Sequence, residues 1–448
     1  MMDKIASILK LKSIQADTNA CVTIIENDEK THEGLLSDVP VALKDNVITK
    51  GVLTTGGSKL LSNYIPPFSA TIVHKIKQAG GIIVAKTSLD ELGMGGTGTA
   101  SFNGIVRNPH DLNRQAGGSS SGSGVVVAAK AVDYAIGSDT GDSVRKPASF
   151  VGVVGTKPTY GRISRYGIIP YASSLDHVGY FTSNVSQAAR MCDVLSGRDP
   201  LDQTSLPYEP TNILNTLNDD VKGKVFGIFE NVVKAIDEIE TLENFEKLCS
   251  ALVKRGAILK SITMNEDLLR ACLPTYYIIA NCEATANHSN LTGVNFGLAQ
   301  AGETIEDIMT QTRTVGFGPL IRKRFIIGSY GLKDENQEAL FRQAQKVRRV
   351  VVEEFTKVLH QCDGLLAPAT SSCAPLLDEA NTNVLSNTHL IAENYMVLSN
   401  FSGAPSMTVP SLLVNRLPHG VNITCKVEDE IMMFNMALAI ESCVKELL

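Results

Sequence analysis

The chain has 448 residues, 44% of them hydrophobic and 20% charged, which suits an ordered globular protein with a large core and leaves no room for extensive disorder. Its formal net charge is −6 and its basic residues are scattered, with Arg322-Lys323-Arg324 the densest cluster, which makes it a poor autonomous binder of nucleic acid for want of a concentrated positive face. Nine widely spaced cysteines without a Cys-x-x-Cys indicate neither a disulfide framework nor a zinc site and fit a reducing cytoplasm.

The first 17 residues alternate lysines and apolar residues without a signal-peptide core, and no run approaches the ~18 apolar residues of a membrane span. From a Ser69 cap, apolar residues recur at helical spacing to Ala79, and Gly80-Gly81 stops the helix. Ile82 to Ala85 reads as a buried strand. Asn108 to Gln115 reads as a polar, proline-containing loop, Val125 to Ala131 as the element entered from a Gly/Ser run, and Val132 to Ile136 as strand-like. Farther on, Val225 to Phe229 is strand-like, Ile236 to Lys254 helical and Ile258 to Ile262 strand-like. Glu335 to Leu359 is a long amphipathic helix and Gly364 to Pro368 a short strand. Strands alternating with helices imply an α/β protein with a large, mixed β-sheet. No repeat or low-complexity linker divides the chain, so one domain over 1–448 is the expected organisation.

Three segments carry chemistry. Lys44 lies in Pro40-Val41-Ala42-Leu43-Lys44-Asp45-Asn46, Ser119 in the Gly/Ser run 117–124, and Ser143 in Thr140-Gly141-Asp142-Ser143-Val144-Arg145-Lys146-Pro147. If they converge, a base, a proton relay and a nucleophile are present without histidine or metal. The run 117–124 would otherwise be a flexible linker, but it opens directly into Val125 to Ala131, so its N–H groups would sit at the start of an element. Gly118-Ser119-Ser120-Ser121-Gly122 also matches G-x-S-x-G, with Ser120 as nucleophile. That reading needs a strand immediately before the turn, where 108–115 reads as a loop. Residues Thr140, Gly141, Asp142 and Ser143 can aim consecutive N–H groups at one point, as an oxyanion hole requires. The eight histidines show no metal spacing.

These motifs, in this order, resemble the amidase-signature family. The 24-residue step from Ser119 to Ser143 and the closing Arg145-x-Pro147 carry the likeness, which is strongest from Pro40 to Asp176. Within the family the chain is most similar to the glutaminase (A) chains of tRNA-dependent glutamyl-tRNA amidotransferases. The segments that carry this are Lys86 to Gly95, Gly155 to Gly167, Ser173-Ser174-Leu175-Asp176 and Asn400 to Pro405.

The resemblance implies the amidase-signature fold, a large mixed sheet with helices on both faces. It also implies a Ser-cisSer-Lys triad: Lys44 as base, Ser119 with a cis peptide as relay, and Ser143 as the nucleophile that forms a γ-glutamyl ester from glutamine. Met94, Gly95, Tyr276 (with Tyr277 left open), Arg324 and Glu393 would contact substrate, Arg324 holding the α-carboxylate and Glu393 the α-ammonium group. The implied activity is that of a carbon–nitrogen ligase with glutamine as amido donor. No metal or cofactor would belong to this chain. ATP and Mg would sit in a B subunit that also holds tRNA, a small C subunit would bridge the two, and no membrane would be involved. Ammonia would amidate glutamate on tRNA(Gln), with aspartate on tRNA(Asn) left open. A stand-alone amidase for small amides and a catalytically silent scaffold are the rival readings.

Three departures from the family stand out. Asp142 replaces the usual Gly before the nucleophile, a charge that must point away from an oxyanion or be paired, with Arg145 and Lys146 the neighbouring cations. Only 43 residues precede Lys44, which implies a shortened N-terminal region. Asn290-Leu291-Thr292-Gly293 lacks the Arg and Asp usual in that subfamily.

Overall fold

The computed structural model describes residues 3–379 and 384–448. Eleven strands form one mixed sheet. Its order is Cys21–Ile24, Ile82–Thr87, Pro40–Lys44, Tyr134–Asp139, His177–Thr182, Val154–Lys157, Ser406–Pro410, Gly420–Thr424, Gly364–Pro368, Val225–Phe229 and Ile258–Ile262. Pro40–Lys44 runs parallel to both neighbours, with Lys44 opposite Thr87 and Leu43 opposite Ile136. Tyr134–Asp139 runs antiparallel to His177–Thr182. The expected mixed α/β sheet with helices on both faces is the architecture observed.

The period-2 alternation of Pro40–Lys44 decides where its lysine points. Val41 and Leu43 enter one apolar cluster, together with Val185, Leu195, Phe245 and Phe434 from the helices on that face. Ala42 enters the other, beside Val125, Val126 and Val127 of helix Ser121–Ala128. Lys44 follows Ala42's parity and so faces the helix that begins inside the Gly/Ser run. Three valines in a row are poor helix formers, and burying them against the sheet overrides that preference.

Several boundaries differ from the sequence expectations for identifiable reasons. Residues 108–115 are not a loop: Arg107–Asn108 and Asp111–Gln115 form a separate two-stranded hairpin. Pro109 falls in its turn, where a missing N–H costs little. The hairpin is no part of the main sheet, so the strand that G-x-S-x-G requires is still lacking. The helix expected from Ser69 spans Thr71–Gln78 and starts at Ala70 without a side-chain cap. Ser69 Oγ instead accepts from the Lys50 N–H at 2.9 Å. The helix expected at 236–254 is Ile239–Lys254, behind a short helix Glu230–Lys234. The long helix before Gly364 carries a π turn over Glu338–Arg342. No helix among the described residues is long and apolar enough to cross a membrane. All nine cysteines are buried and unpaired.

Candidate active site

Lys44 is fully buried, and its Nζ is surrounded by hydroxyls. It lies 2.8 Å from Ser119 Oγ, 2.9 Å from Ser120 Oγ, 2.8 Å from Ser138 Oγ and 3.4 Å from the Ser138 carbonyl. The Gly118-Ser119 peptide is cis, as the resemblance implies. Gly137 is what lets the run approach: a Cβ there would stand 2.9 Å from Ser120 Oγ.

Counting protons shows how this cluster directs the lysine. Ser120 Oγ donates to the Ser138 carbonyl at 3.0 Å and accepts from the Ser138 N–H at 3.2 Å, so toward Lys44 it has only acceptor capacity. Ser138 Oγ accepts from Asn46 Nδ2 at 3.0 Å and keeps a lone pair that can accept a second Lys44 proton. A neutral amine has two N–H bonds. When both are given to Ser120 and Ser138, its lone pair faces Ser119 Oγ. Burial pulls the Lys44 pKa down to about 7 against the distant pull of Asp90, Asp139 and Asp176, so the neutral form is accessible at ordinary pH.

Ser143 is buried, and its carbonyl accepts from the Ser120 N–H at 3.2 Å, which ties the nucleophile candidate's backbone to the serine run. The turn that carries it is built around Asp139 and Arg145. Asp139 accepts from the Val144 N–H at 3.0 Å and pairs with the guanidinium at 2.8 Å, both groups being fully buried. Burial alone would raise the Asp139 carboxyl, but the Arg145 guanidinium beside it holds it well below the usual carboxylate range. Arg145 Nη2 also donates to the Gly141 carbonyl at 2.7 Å and to Asn400 Oδ1 at 2.7 Å. The C=O and N–H of a trans peptide point opposite ways, so fixing the Gly141 oxygen on Arg145 turns the Asp142 N–H away from it. Among the described residues none accepts from the backbone N–H groups of Gly141, Asp142 or Ser143. Thr140 is anchored differently, its Oγ1 donating to Asp176 at 2.7 Å.

Asp142 does not take a left-handed backbone conformation, and its carboxylate pairs with Lys146 at 2.7 Å. Of the two cations the sequence offers, Lys146 is the partner, because Arg145 is committed to Asp139.

A cleft of about 820 Å³ runs past this turn, and Gly141, Asp142, Tyr276, Tyr277, Arg324 and Glu393 all line it. Tyr276 packs on Gly141 so closely that a Cβ there would meet its ring at 3.2 Å. The Arg324 guanidinium lies 5.2 Å from the Tyr277 ring centroid, and Nη1 donates to Tyr171 Oη at 2.8 Å and to Asn281 Oδ1 at 3.3 Å. Its Nε has no acceptor among the described residues. Glu393 accepts from the Ser371 N–H at 2.9 Å and from the Ser371 hydroxyl. Gly95 lines the cleft, whereas the Met94 side chain is buried in the apolar cluster with Leu92 and Tyr171. A smaller cavity of about 230 Å³ reaches Asn46, Ser138 and Asp176. Among the described residues no group of three His, Cys, Asp or Glu side chains could hold a metal ion.

Sequence reasoning did not give roles to Ser138, Asn46, Asp139 or Ser371. Only Ser138 left a signal, standing between a strand-like run and the Gly-rich turn.

A large mixed sheet with a buried lysine set against a serine-rich helix start defines the class, and comparison agrees: the amidase family model, described as "Amidase", matches residues 6–434. The chain belongs to the amidase family. It is 36% identical over 449 residues to the A chain of the glutamyl-tRNA(Gln) amidotransferase of Caldanaerobacter subterraneus subsp. tengcongensis, covering 97% of this chain and 91% of that protein. The corresponding protein of Thermotoga maritima is 37% identical over 435 residues, covering 97% and 90%. The crystal structure of that Thermotoga maritima protein superposes with a TM-score of 0.83 at 35% identity, covering 98% of this chain and 90% of that one. The peptide amidase of Stenotrophomonas maltophilia, 23% identical, shares the fold with a TM-score of 0.83, covering 99% and 94%.

Proposed function

We propose that this chain is the glutaminase component of a tRNA-dependent glutamyl-tRNA(Gln) amidotransferase. The observation that carries the reading is the buried Lys44–Ser119 pair at 2.8 Å, joined to the Ser143 turn through the Ser120 N–H and the Ser143 carbonyl, with Gly141 and Asp142 of that turn lining a cleft that also presents Arg324 and Glu393. The identities to the amidotransferase relatives support it.

In this reading Arg324 takes the α-carboxylate of glutamine, and Glu393 takes the α-ammonium group. Ser143 Oγ attacks the side-chain amide carbon, passing its proton to Ser119 as Ser119 passes its own to neutral Lys44. The tetrahedral oxygen is held by the N–H groups of the Gly141 to Ser143 turn. The protons return by the same relay to the departing nitrogen, which leaves as ammonia, and water then hydrolyses the γ-glutamyl ester. Ammonia passes to a B subunit that binds tRNA and uses ATP and Mg to activate glutamate on tRNA(Gln), with a C subunit bridging the pair. The whole domain, 1–448, serves this one site in a cytoplasmic complex.

A cleft that presents an arginine and a glutamate argues against a stand-alone amidase of simple apolar amides. Pairing of Asp142 with Lys146 argues against a silent scaffold.

The test is ammonia release from L-glutamine by the chain purified with its co-purifying partners, beside Ser143→Ala. Release that rises with ATP and glutamyl-tRNA and vanishes in the variant is the expected result. Release undiminished in Ser143→Ala, or faster turnover of acetamide than of glutamine, overturns the reading.

A further inference from the structure

Asp142 adjoins the nucleophile candidate, and its own N–H belongs to the turn that would receive the oxyanion. An unpaired carboxylate at that place opposes the negative charge that develops there, in a partly buried site where screening by water is weak. The structure neutralises it locally. Lys146, one helical turn on, sets its Nζ 2.7 Å from Asp142 Oδ2. The same Nζ donates to the Glu393 carbonyl at 2.7 Å and stands 3.8 Å from the Glu393 carboxylate. Only 13% of the Lys146 side chain is exposed, so solvent does little of this work. Glu393's other oxygen is already held by Ser371, so the lysine joins two anchored segments rather than two mobile ones.

We propose that Lys146 is a positioning residue that cancels the charge of Asp142 and ties the turn before Ser143 to the segment bearing Glu393. Lys146 also lines the cleft, but its Nζ is committed to Asp142 and to the Glu393 carbonyl, so it acts through them rather than on the reacting atoms. Its effect runs through Asp142, which it keeps from opposing the oxyanion, and through Glu393, whose position it fixes in the cleft. The proposal rests on the reading of Ser143 as nucleophile, and Asp142 and Lys146 form one unit: either charge alone harms or alters the site, and both together are neutral.

A fluorophosphonate reads the turn without involving Glu393, because it carries no α-amino acid. Ser143 Oγ forms the P–O bond as its proton passes through Ser119 to Lys44, the P–F bond breaks and fluoride leaves, and the phosphoryl oxygen draws on the same N–H donors. The labelling rate would be measured by intact mass in the full-length wild type and in Lys146→Met, Lys146→Arg, Asp142→Asn and the double variant Asp142→Asn/Lys146→Met. Lys146→Met should label about 10- to 100-fold more slowly, approaching the loss of one oxyanion donor. Lys146→Arg should recover most of that loss, and the double variant should label at least about 10-fold faster than Lys146→Met. Asp142→Asn alone should label faster than wild type, which keeps the test alive if Lys146→Met does not fold. With glutamine as substrate, Lys146→Met should also raise KM, because Glu393 loses its tether.

A Lys146→Met rate within about twofold of wild type overturns the proposal, as does a double variant as slow as Lys146→Met, which would make the lysine merely structural. Wild-type chain that is never labelled at Ser143 overturns the nucleophile reading and this proposal with it. Labelling that ignores Lys146 overturns this proposal alone.

Discussion

Lys44 and Lys86 stand on neighbouring parallel strands, both wholly buried, and differ in what surrounds the amine. Lys86 Nζ lies 3.1 Å from the Asp45 carboxylate, with the Val47 carbonyl and Thr54 Oγ1 each at 2.8 Å. Lys44 has three serine hydroxyls and no carboxylate in ion-pair contact among the described residues. Burial lowers both pKa values, but Asp45 beside Lys86 offsets part of the effect by direct contact, whereas the carboxylates that act on Lys44 do so from a distance. The lesson is that burial alone does not make a base: a neutral hydroxyl cage leaves the proton free to move, and a paired carboxylate fixes it.

Substituting each lysine by a methionine breaks the comparison most directly. Lys44→Met should cost about 10²- to 10⁴-fold in kcat for glutamine hydrolysis, the usual range for a positioned general base. Its melting temperature should not fall, because no carboxylate is left stranded. Lys86→Met should do the reverse: the Asp45 carboxylate stays buried without its cation, at a cost of about 3–5 kcal/mol in folding stability, seen as a lowered urea midpoint. The protein that remains folded should keep measurable kcat. Equal activity losses in the two variants would show that the hydroxyl cage is not what distinguishes Lys44.

A change of pH sharpens the same contrast without mutation. Below about 7, Lys44 holds a third proton, its lone pair is lost, and Ser119 has no acceptor. The relay should therefore fail as pH falls, with kcat/KM dropping about tenfold per unit well below that value and levelling above it. Stability responds as well. Between about 7 and the lysine's ordinary 10.5, the unfolded chain binds the proton that the folded one has released, so raising the pH through this window adds stability. A kcat/KM profile flat from pH 5 to 8 would remove Lys44 as the base.

Much of this site was legible in the sequence because its members lie in motifs with fixed order. Lys44, the Gly/Ser run and the turn at Ser143 were found that way, and so was the alternation of strands and helices. What escaped are partners set by the tertiary fold. Ser138 reaches Lys44 and Asn46 only because Tyr134–Asp139 lies beside Pro40–Lys44, an adjacency that no local pattern encodes. Arg145 was read as a signature residue and a neighbouring cation, yet it forms a buried pair with Asp139 that also holds Asn400 from the far end of the chain. The helix at Ser121–Ala128 was hard to place because its glycines and valines argue against helix, and only packing against the sheet reverses that preference. Residues 108–115 misled for a related reason: their hairpin is held by partners distant in sequence, including the Phe150 carbonyl that accepts from Asn108 at 2.9 Å.

The smallest expected effect tests the orientation argument itself. Ser138→Ala deletes one of the two acceptors offered to the Lys44 protons while leaving Lys44, Ser119 and Ser143 in place. If the lone pair faces Ser119 because both N–H bonds are committed, the freed proton must compete for Ser119 or for the Ser138 carbonyl at 3.4 Å. A single lost hydrogen bond of this kind is worth about 0.5–1.5 kcal/mol, so kcat should fall roughly 2- to 12-fold with little change in KM. Ser138→Thr keeps the hydroxyl and should retain more activity than the alanine variant. An alanine variant as active as wild type would mean that Ser120 alone orients the amine, and the comparison with Lys86 would then rest on the missing carboxylate rather than on the number of hydroxyls.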